Sequence, residues 1–296
     1  MDDLWYAGRL EALDIAVSFA VTTQLVNESV LRHNCDPYAA HLLGRALTSG
    51  ILAAGPLDPG ERLNICWKYE GKVRTVLVDV GADGSARGLI SPTNLSDHAT
   101  EKEAIFGDRV QLSVIRSRSG KVLTSSSVES IFQDVVNDLA YFFSVSDQVE
   151  SGMAVLIGFT QAVDRPVDLC QGILIQAMPG CDLERFDRIR RSIHDPAART
   201  LLSRKNESDS HFENVLNALL GEDRDPSGLH YTARPRPRFH CTCNREKLGA
   251  VVRSLPYGDR MDMVKKKEPV TINCQFCNKK YELSIEECIE AWNDHG

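Results

Sequence analysis

The sequence predicts an α+β protein in three parts. These are a mixed helix-and-hairpin core over residues 1–180, a charged helical linker over 181–232, and a small cysteine-rich domain over 233–296. Three observations lead there. Helix and strand patterns follow one another irregularly in the first part, with hairpin turns and no βαβ repetition. The middle part is dense in charges of both signs. Five of the nine cysteines fall within the last 56 residues.

Composition sets the outer limits. The chain has 296 residues, 43% hydrophobic and 25% charged, enough for a buried core and too apolar for wholesale disorder. A net charge of −7, from 34 basic and 41 acidic residues, argues against a protein built mainly to grip nucleic acid or anionic membrane. Apolar runs such as Gly50–Gly55 fall far short of the ~20 residues of a membrane span. The start Met1-Asp2-Asp3-Leu4-Trp5 lacks the basic-then-apolar order of a secretory signal. A soluble, cytoplasmic protein is expected.

In chain order, Ala12 to Val21 reads as a first strand, and Thr22 or Thr23 as the cap of a helix reaching His33. Asp36-Pro37 opens an Ala- and Leu-rich helix that stops near Gly55-Pro56. Leu63–Tyr69, Val73–Val80 and Ala86–Ile90 read as strands, and Val110–Arg116 with Lys121–Ser126 as a hairpin around Ser119-Gly120. Ile131, Val135, Leu139 and Phe142 have helical spacing, and Met153–Thr160 and Leu169–Met178 are strands.

In the linker, Leu183, Phe186, Ile189 and Ile193 form one apolar face and Phe212, Val215, Leu216, Leu219 and Leu220 another, the latter behind a Ser210-x-x-Glu213 capping box and before Gly221. Helices of about ten residues are marginal alone, so this segment must dock on something. Gly221 to Pro237 reads as an irregular joint, with Asp225-Pro226-Ser227-Gly228 and Arg234-Pro235-Arg236-Pro237 inside it. In the last part, Asn244 caps a helix carrying Leu248, Val251, Val252 and Leu255. Val270–Asn273 and Tyr281–Leu283 are short strands, and Ser284-x-x-Glu287 caps a helix with Ile285, Cys288, Ile289 and Trp292 inward. So few apolar residues need a staple.

The cysteines supply a candidate. Cys241-Thr242-Cys243 and Cys274-Gln275-Phe276-Cys277 are two close thiol pairs separated by 30 residues, a set suited to one tetrahedral Zn²⁺ per chain. Each pair could also close a disulfide within itself, removing all four ligands. The residues alone leave a structural zinc site and a redox switch both open.

Phe239-His-Cys-Thr-Cys-Asn-Arg-Glu-Lys247, Leu255-Pro256 and Cys274-Gln-Phe-Cys-Asn-Lys-Lys-Tyr281 resemble the bacterial heat-shock protein 33 family of redox-regulated chaperones, as do Gly172-Ile-Leu-Ile-Gln-Ala-Met-Pro179 and Tyr141-Phe142 with Ser146-Asp147-Gln148. The resemblance implies an ATP-independent holdase of the stress response rather than an enzyme, with no catalytic residues. Its implied partners are unfolded client proteins and, when oxidised, a second copy of the chain, with the core as the client-binding and dimerising part. It implies that Cys241, Cys243, Cys274 and Cys277 bind zinc when reduced. On oxidation they would pair as Cys241–Cys243 and Cys274–Cys277, with zinc release and linker unfolding. The chain departs from the family in carrying Lys265-Lys266-Lys267 ahead of the second thiol pair.

Other candidates read as structure. Cys288 shares a helix face with Ile285, Ile289 and Trp292, and His240 adjoins a set already complete with four thiolates. Cys35, Cys66, Cys170 and Cys181 stand singly, in apolar or turn contexts. Cys35 beside His33 or His41 lacks a third catalytic group. The rival function is a nucleic-acid-binding zinc module, because Arg234–Lys267 carries ten bases against three acids. Phe239, Tyr257, Phe276 and Tyr281 show no interleaved base-stacking pattern in it.

Overall fold

Residues 1–240 and 241–296 are two separate units in the computed structural model, which describes residues 2–96, 102–205, 208, 210–224, 228–266 and 269–293. In the first unit the strands are β1 (Leu4–Leu10), β2 (Ile15–Val21), β3 (Glu61–Tyr69), β4 (Thr75–Gly81), β5 (Ser85–Ser91), β6 (Val110–Arg118), β7 (Lys121–Ser130), β8 (Ser151–Phe159), β9 (Val167–Ala177), β10 (Leu229–Ala233) and β11 (Arg238–Phe239). Its helices are α1 (Thr23–His33), α2 (Pro37–Ala53), α3 (Lys102–Phe106), α4 (Val135–Val145), α5 (Leu183–Ser192), α6 (Pro196–Leu202) and α7 (His211–Leu220). One sheet is antiparallel in the order β10-β1-β2-β9-β8. The other runs β11-β5-β4-β3-β6-β7, antiparallel except where β11 joins β5. The α+β class is as expected.

Helix α2 packs against strands of both sheets, so most of its residues are buried. Its glycines permit that approach: a Cβ at Gly44 would lie 2.8 Å from both Ile157 Cδ1 and Val26 Cγ1. Asp36 caps it by accepting from the Ala39 amide at 2.7 Å, with Pro37 in the first turn. Helix α1 spans the expected residues, but Thr22 does not cap it, because its hydroxyl bonds Thr48 at 2.7 Å. Asp3 takes over, accepting from the Gln24 and Leu25 amides at 2.8 Å each.

The first sheet is buried on both faces, which is why β2 and β9 read as nearly continuous apolar runs. Trp5, Ala20 and Leu174 belong to the core containing α2. Ile15, Val17, Phe19, Ile173 and Ile175 belong to a second core, shared with Phe186, Ile189, Ile193, Leu202, Phe212, Val215 and Leu216 of the linker segment. The linker helices therefore cover one face of the sheet. Polar ties reinforce them: Gln171 Nε2 donates to the Leu202 and Arg204 carbonyls at 2.7 and 2.8 Å, Arg190 pairs with Glu150 at 2.9 Å, and Lys205 with Asp168 at 2.7 Å.

Several expectations need correction. Ala12–Leu13 is a 3₁₀ turn ended by left-handed Asp14 (φ 51°), so the strand begins at Ile15, and β1 precedes it unforeseen. Ile131 is 72% exposed and lies ahead of α4, which Asp134 caps. Leu183 is 58% exposed, off the apolar face of α5. The Ser210 capping box does not form, because Glu213 accepts from the Tyr231 hydroxyl at 3.0 Å instead. The Gly221–Pro237 joint contains β10, a strand paired with β1, while its Asp225-Pro226-Ser227 and the linker acids Glu207 and Asp209 lie outside the described residues. Helices α3 and α6 were not anticipated.

The second unit contains α8 (Arg245–Arg253), α9 (Tyr257–Lys266), the hairpin β12 (Val270–Asn273) and β13 (Lys280–Leu283), and α10 (Ile285–Asn293). Helix α9 has no counterpart in the sequence expectation. Both expected caps form: Asn244 Oδ1 accepts from the Lys247 amide at 2.8 Å. The Ser284 amide donates to Glu287 at 2.8 Å, while Ser284 Oγ accepts from the Glu287 amide at 3.3 Å. Val252, Leu283 and Cys288 form the small apolar cluster, with Leu255, Ile272, Ile285 and Trp292 against it. Ile289 is 37% exposed rather than inward, and the Leu248 and Val251 side chains lie outside the described residues.

Candidate metal centre

Two short segments bring the four thiols together. Cys241 and Cys243 lie in irregular chain just before the Asn244 cap of α8, while Cys274 and Cys277 lie in the turn joining β12 to β13. That turn is closed by the Cys274 amide donating to the Lys279 carbonyl at 3.0 Å and the Asn278 amide to the Cys274 carbonyl at 2.8 Å. Asn278 takes the left-handed conformation, φ 56°, which asparagine tolerates better than most residues.

The four Sγ atoms all lie within 4.8 Å of one another. Contacts run between the pairs: Cys241 lies 3.6 Å from Cys274 and Cys243 lies 3.3 Å from Cys277. A tetrahedron of sulfurs 2.3 Å from a central Zn²⁺ has edges of about 3.8 Å, so the observed spacing fits that ion. Cys274 and Cys277 are buried, Cys241 and Cys243 partly so. Backbone amides of Phe276 and Cys277 donate to the Cys274 sulfur and the Lys279 amide to that of Cys277, so each sulfur is oriented by its own turn.

Protonation is unequal across the cluster. Burial opposes ionisation of Cys243, yet hydrogen bonds from Tyr281 and the other three thiols outweigh it and pull its pKa to about 7. Burial pushes Cys277 up to about 12 and raises Cys274. Cys243 therefore ionises more readily than Cys274 or Cys277.

Tyr281 is the functional residue that sequence patterns missed. Its hydroxyl lies 3.2 Å from Cys243 Sγ and 3.1 Å from the Cys243 carbonyl, so its one hydrogen can go to the carbonyl or, when the sulfur is ionised, to the thiolate. The available signal was chemical: a tyrosine on the inward side of a short strand needs a partner for its hydroxyl. Arg245 pairs with Glu287 at 2.6 Å, and Trp292 Nε1 donates to the Val252 carbonyl at 2.9 Å, so α8 and α10 are fastened to each other beside the cluster.

The remaining candidates fall elsewhere. Cys288 is fully buried in the apolar cluster, and neither it nor His240 joins the described group of potential ligands. Cys170 is fully buried against Thr48, 3.1 Å away. Burial pushes Cys35 up to about 12 and also raises Cys66 and Cys181, the opposite of what a nucleophile needs. His33 bonds the Gly88 carbonyl at 2.9 Å. In the basic stretch, Arg236 pairs with Asp2, Arg238 with Asp83, and Arg245 with Glu287, so several of its charges are engaged internally. Lys265 and Lys266 are exposed on α9, and Lys267 lies outside the described residues. No helix among the described residues is long and apolar enough to cross a membrane.

Comparison with known proteins settles the family. The Hsp33 protein family model matches residues 3–284. The chain belongs to the Hsp33 family. A 33 kDa chaperonin of Thermus thermophilus is 32% identical over 283 residues, covering 93% of this chain and 82% of its own. One from Clostridium botulinum is 32% identical over 274 residues, covering 90% of each chain. The crystal structure of the 33 kDa chaperonin (heat shock protein 33 homolog) from Thermotoga maritima superposes with a TM-score of 0.82 at 23% identity, covering 99% of this chain and 98% of that one, and shares the fold. Membership of the Hsp33 family supports a chaperone function.

Proposed function

We propose that the chain is a redox-regulated, ATP-independent holdase of the cytoplasm. Cys241, Cys243, Cys274 and Cys277 hold one Zn²⁺ when reduced and act as the switch when oxidised. The observation that carries this is the second apolar core, in which the linker helices cover Phe19, Ile173 and their neighbours on the first sheet. Uncovering that face gives unfolded clients a broad apolar surface without any nucleotide chemistry.

The bound ion would cross-link two segments of a unit too small to hold itself, contributing roughly 10–16 kcal/mol of apparent binding energy. Oxidation within each pair, Cys241 with Cys243 and Cys274 with Cys277, removes four thiolate ligands. Each disulfide takes one equivalent of a two-electron oxidant such as peroxide, which is reduced to water. The pairing matters. Bonds within each pair leave nothing joining the two segments once the ion is gone, whereas bonds between pairs, whose sulfurs lie 3.3 and 3.6 Å apart, would preserve the staple. From Cys241 the chain runs back through β11 and β10 to α7, so loss of the second unit destabilises helices of ten residues or fewer. In this scheme residues 1–180 bind clients and form the oxidised homodimer, 181–232 serve as the metastable cover, and 233–296 sense the oxidant.

Light scattering of a chemically denatured client tests the function. Oxidised protein should suppress aggregation and reduced, zinc-loaded protein should not, while equal activity of both would refute redox control. Reduced protein should contain one zinc per chain, and a Cys274→Ser, Cys277→Ser double variant should lose it. Retention of zinc in that variant would overturn the ligand set. Gel shift with random DNA or RNA addresses the rival nucleic-acid reading.

A further inference from the structure

The first sheet carries a cleft of about 360 Å³ that the redox scheme does not use, on the face away from α5–α7 and beside the end of α2. Pro56 and Met178 supply apolar walls above the buried Leu52 and Leu174, and the small residues Ala7, Ala16 and Gly55 leave the space open. Arg234, which directly follows β10, lines the same cleft. Its backbone amide is fixed on the Trp5 carbonyl at 2.8 Å, and its guanidinium lies 5.3 Å from the centre of the Trp5 ring. One side-chain bond is made, from Nη2 to the Leu57 carbonyl at 3.2 Å, while the buried Nε has no partner.

Among the described residues no carboxylate pairs with this arginine, unlike Arg9 at the same cleft, which pairs with Asp14. A partly buried guanidinium without a counter-ion is costly, and its charge complements an anion entering from the cleft. The volume is about twelve times the ~30 Å³ that one liquid water occupies, room for an anionic head with an apolar tail.

We propose that this cleft binds a straight-chain carboxylate of about ten carbons, with its chain along Pro56, Ala16 and Met178 and its carboxylate on Arg234. The inference stands independently of the zinc switch. One consequence follows: a ligand bridging the α2 side to Arg234 binds only while β10 is paired with β1, and so stabilises that pairing by mass action.

Isothermal titration of the reduced full-length protein with decanoate, below its micellar concentration, tests the site. Wild-type protein should show saturable, one-to-one binding. Arg234→Met keeps an apolar stem and should weaken binding about 10- to 100-fold, the effect of losing charge-assisted hydrogen bonds. Ala16→Leu fills the cleft without touching charge and should weaken it comparably, and decan-1-ol should bind like decanoate to Arg234→Met. Circular dichroism and melting identify any variant that fails to fold, and the other variant with the alcohol then decides. Absence of saturable binding, or wild-type affinity in a folded variant, would overturn the assignment.

Discussion

Phe212 is the place to separate docking of the linker from oxidation. Its ring is 1% exposed and stacks on Phe19 at 5.3 Å between centroids, with Tyr231 edge-on at 5.0 Å and Tyr6 at 5.8 Å. Truncating such a side chain costs about 3–5 kcal/mol. If that falls on docking, the undocked population rises roughly a hundredfold to several thousandfold. Helix α7 has only ten residues and cannot persist alone, so undocking means local unfolding. Reduced, zinc-loaded Phe212→Ala should therefore exchange amide hydrogens faster across α5–α7 and suppress client aggregation without oxidant. Leu183→Ala is the internal control: Leu183 belongs to the same apolar pattern in sequence but is 58% exposed, so its loss should change stability by less than about 0.5 kcal/mol. Unchanged exchange in folded Phe212→Ala, or an equal effect from Leu183→Ala, would refute the reasoning.

Three further outcomes are expected. Tyr281→Phe removes a hydroxyl that favours the Cys243 thiolate, so in metal-free reduced protein the Cys243 pKa should rise from about 7, measured by thiolate absorbance against pH. Burial pushes Asp138 up to about 6, outweighing bonds from Ser130, the Asp134 amide and Tyr69. Its neutral form is thus favoured on folding, a contribution present below the unfolded pKa of about 3.9 and lost as pH rises through about 6. Asp138→Asn should gain on wild type by up to about 3 kcal/mol between about pH 4 and pH 7 in urea unfolding, and a pH-independent difference would contradict this. Replacing Lys265, Lys266 and Lys267 with Glu should weaken zinc retention against a chelator by roughly three- to a hundredfold and hasten peroxide activation at low salt, with the difference shrinking as salt is added.

The thiol cluster was legible because its two pairs are each close in sequence, and chemistry restricts what four neighbouring thiols can be. Tyr281 was not, since its role depends on the hairpin bringing position 281 beside Cys243. The same distinction runs through the fold. Helix α2 and the β6–β7 hairpin follow local signals, Asp36-Pro37 and Ser119-Gly120, that the structure uses directly. Strand β10 sits among turn-forming residues and exists because β1, over 200 residues away in the chain, offers it an edge. The Ser210 box failed for a similar reason, its glutamate being drawn to Tyr231. Asp3 caps α1 from outside its own segment, a substitution no window around Thr22 could reveal.

The central claim is that thiol oxidation, zinc loss and linker undocking are one event. Hydrogen exchange across a peroxide titration, with released zinc measured in the same samples, tests it most directly. Protection of α5–α7 should fall in proportion to zinc released, while α1 and α2 stay protected. Complete zinc release with α5–α7 still protected would contradict the account.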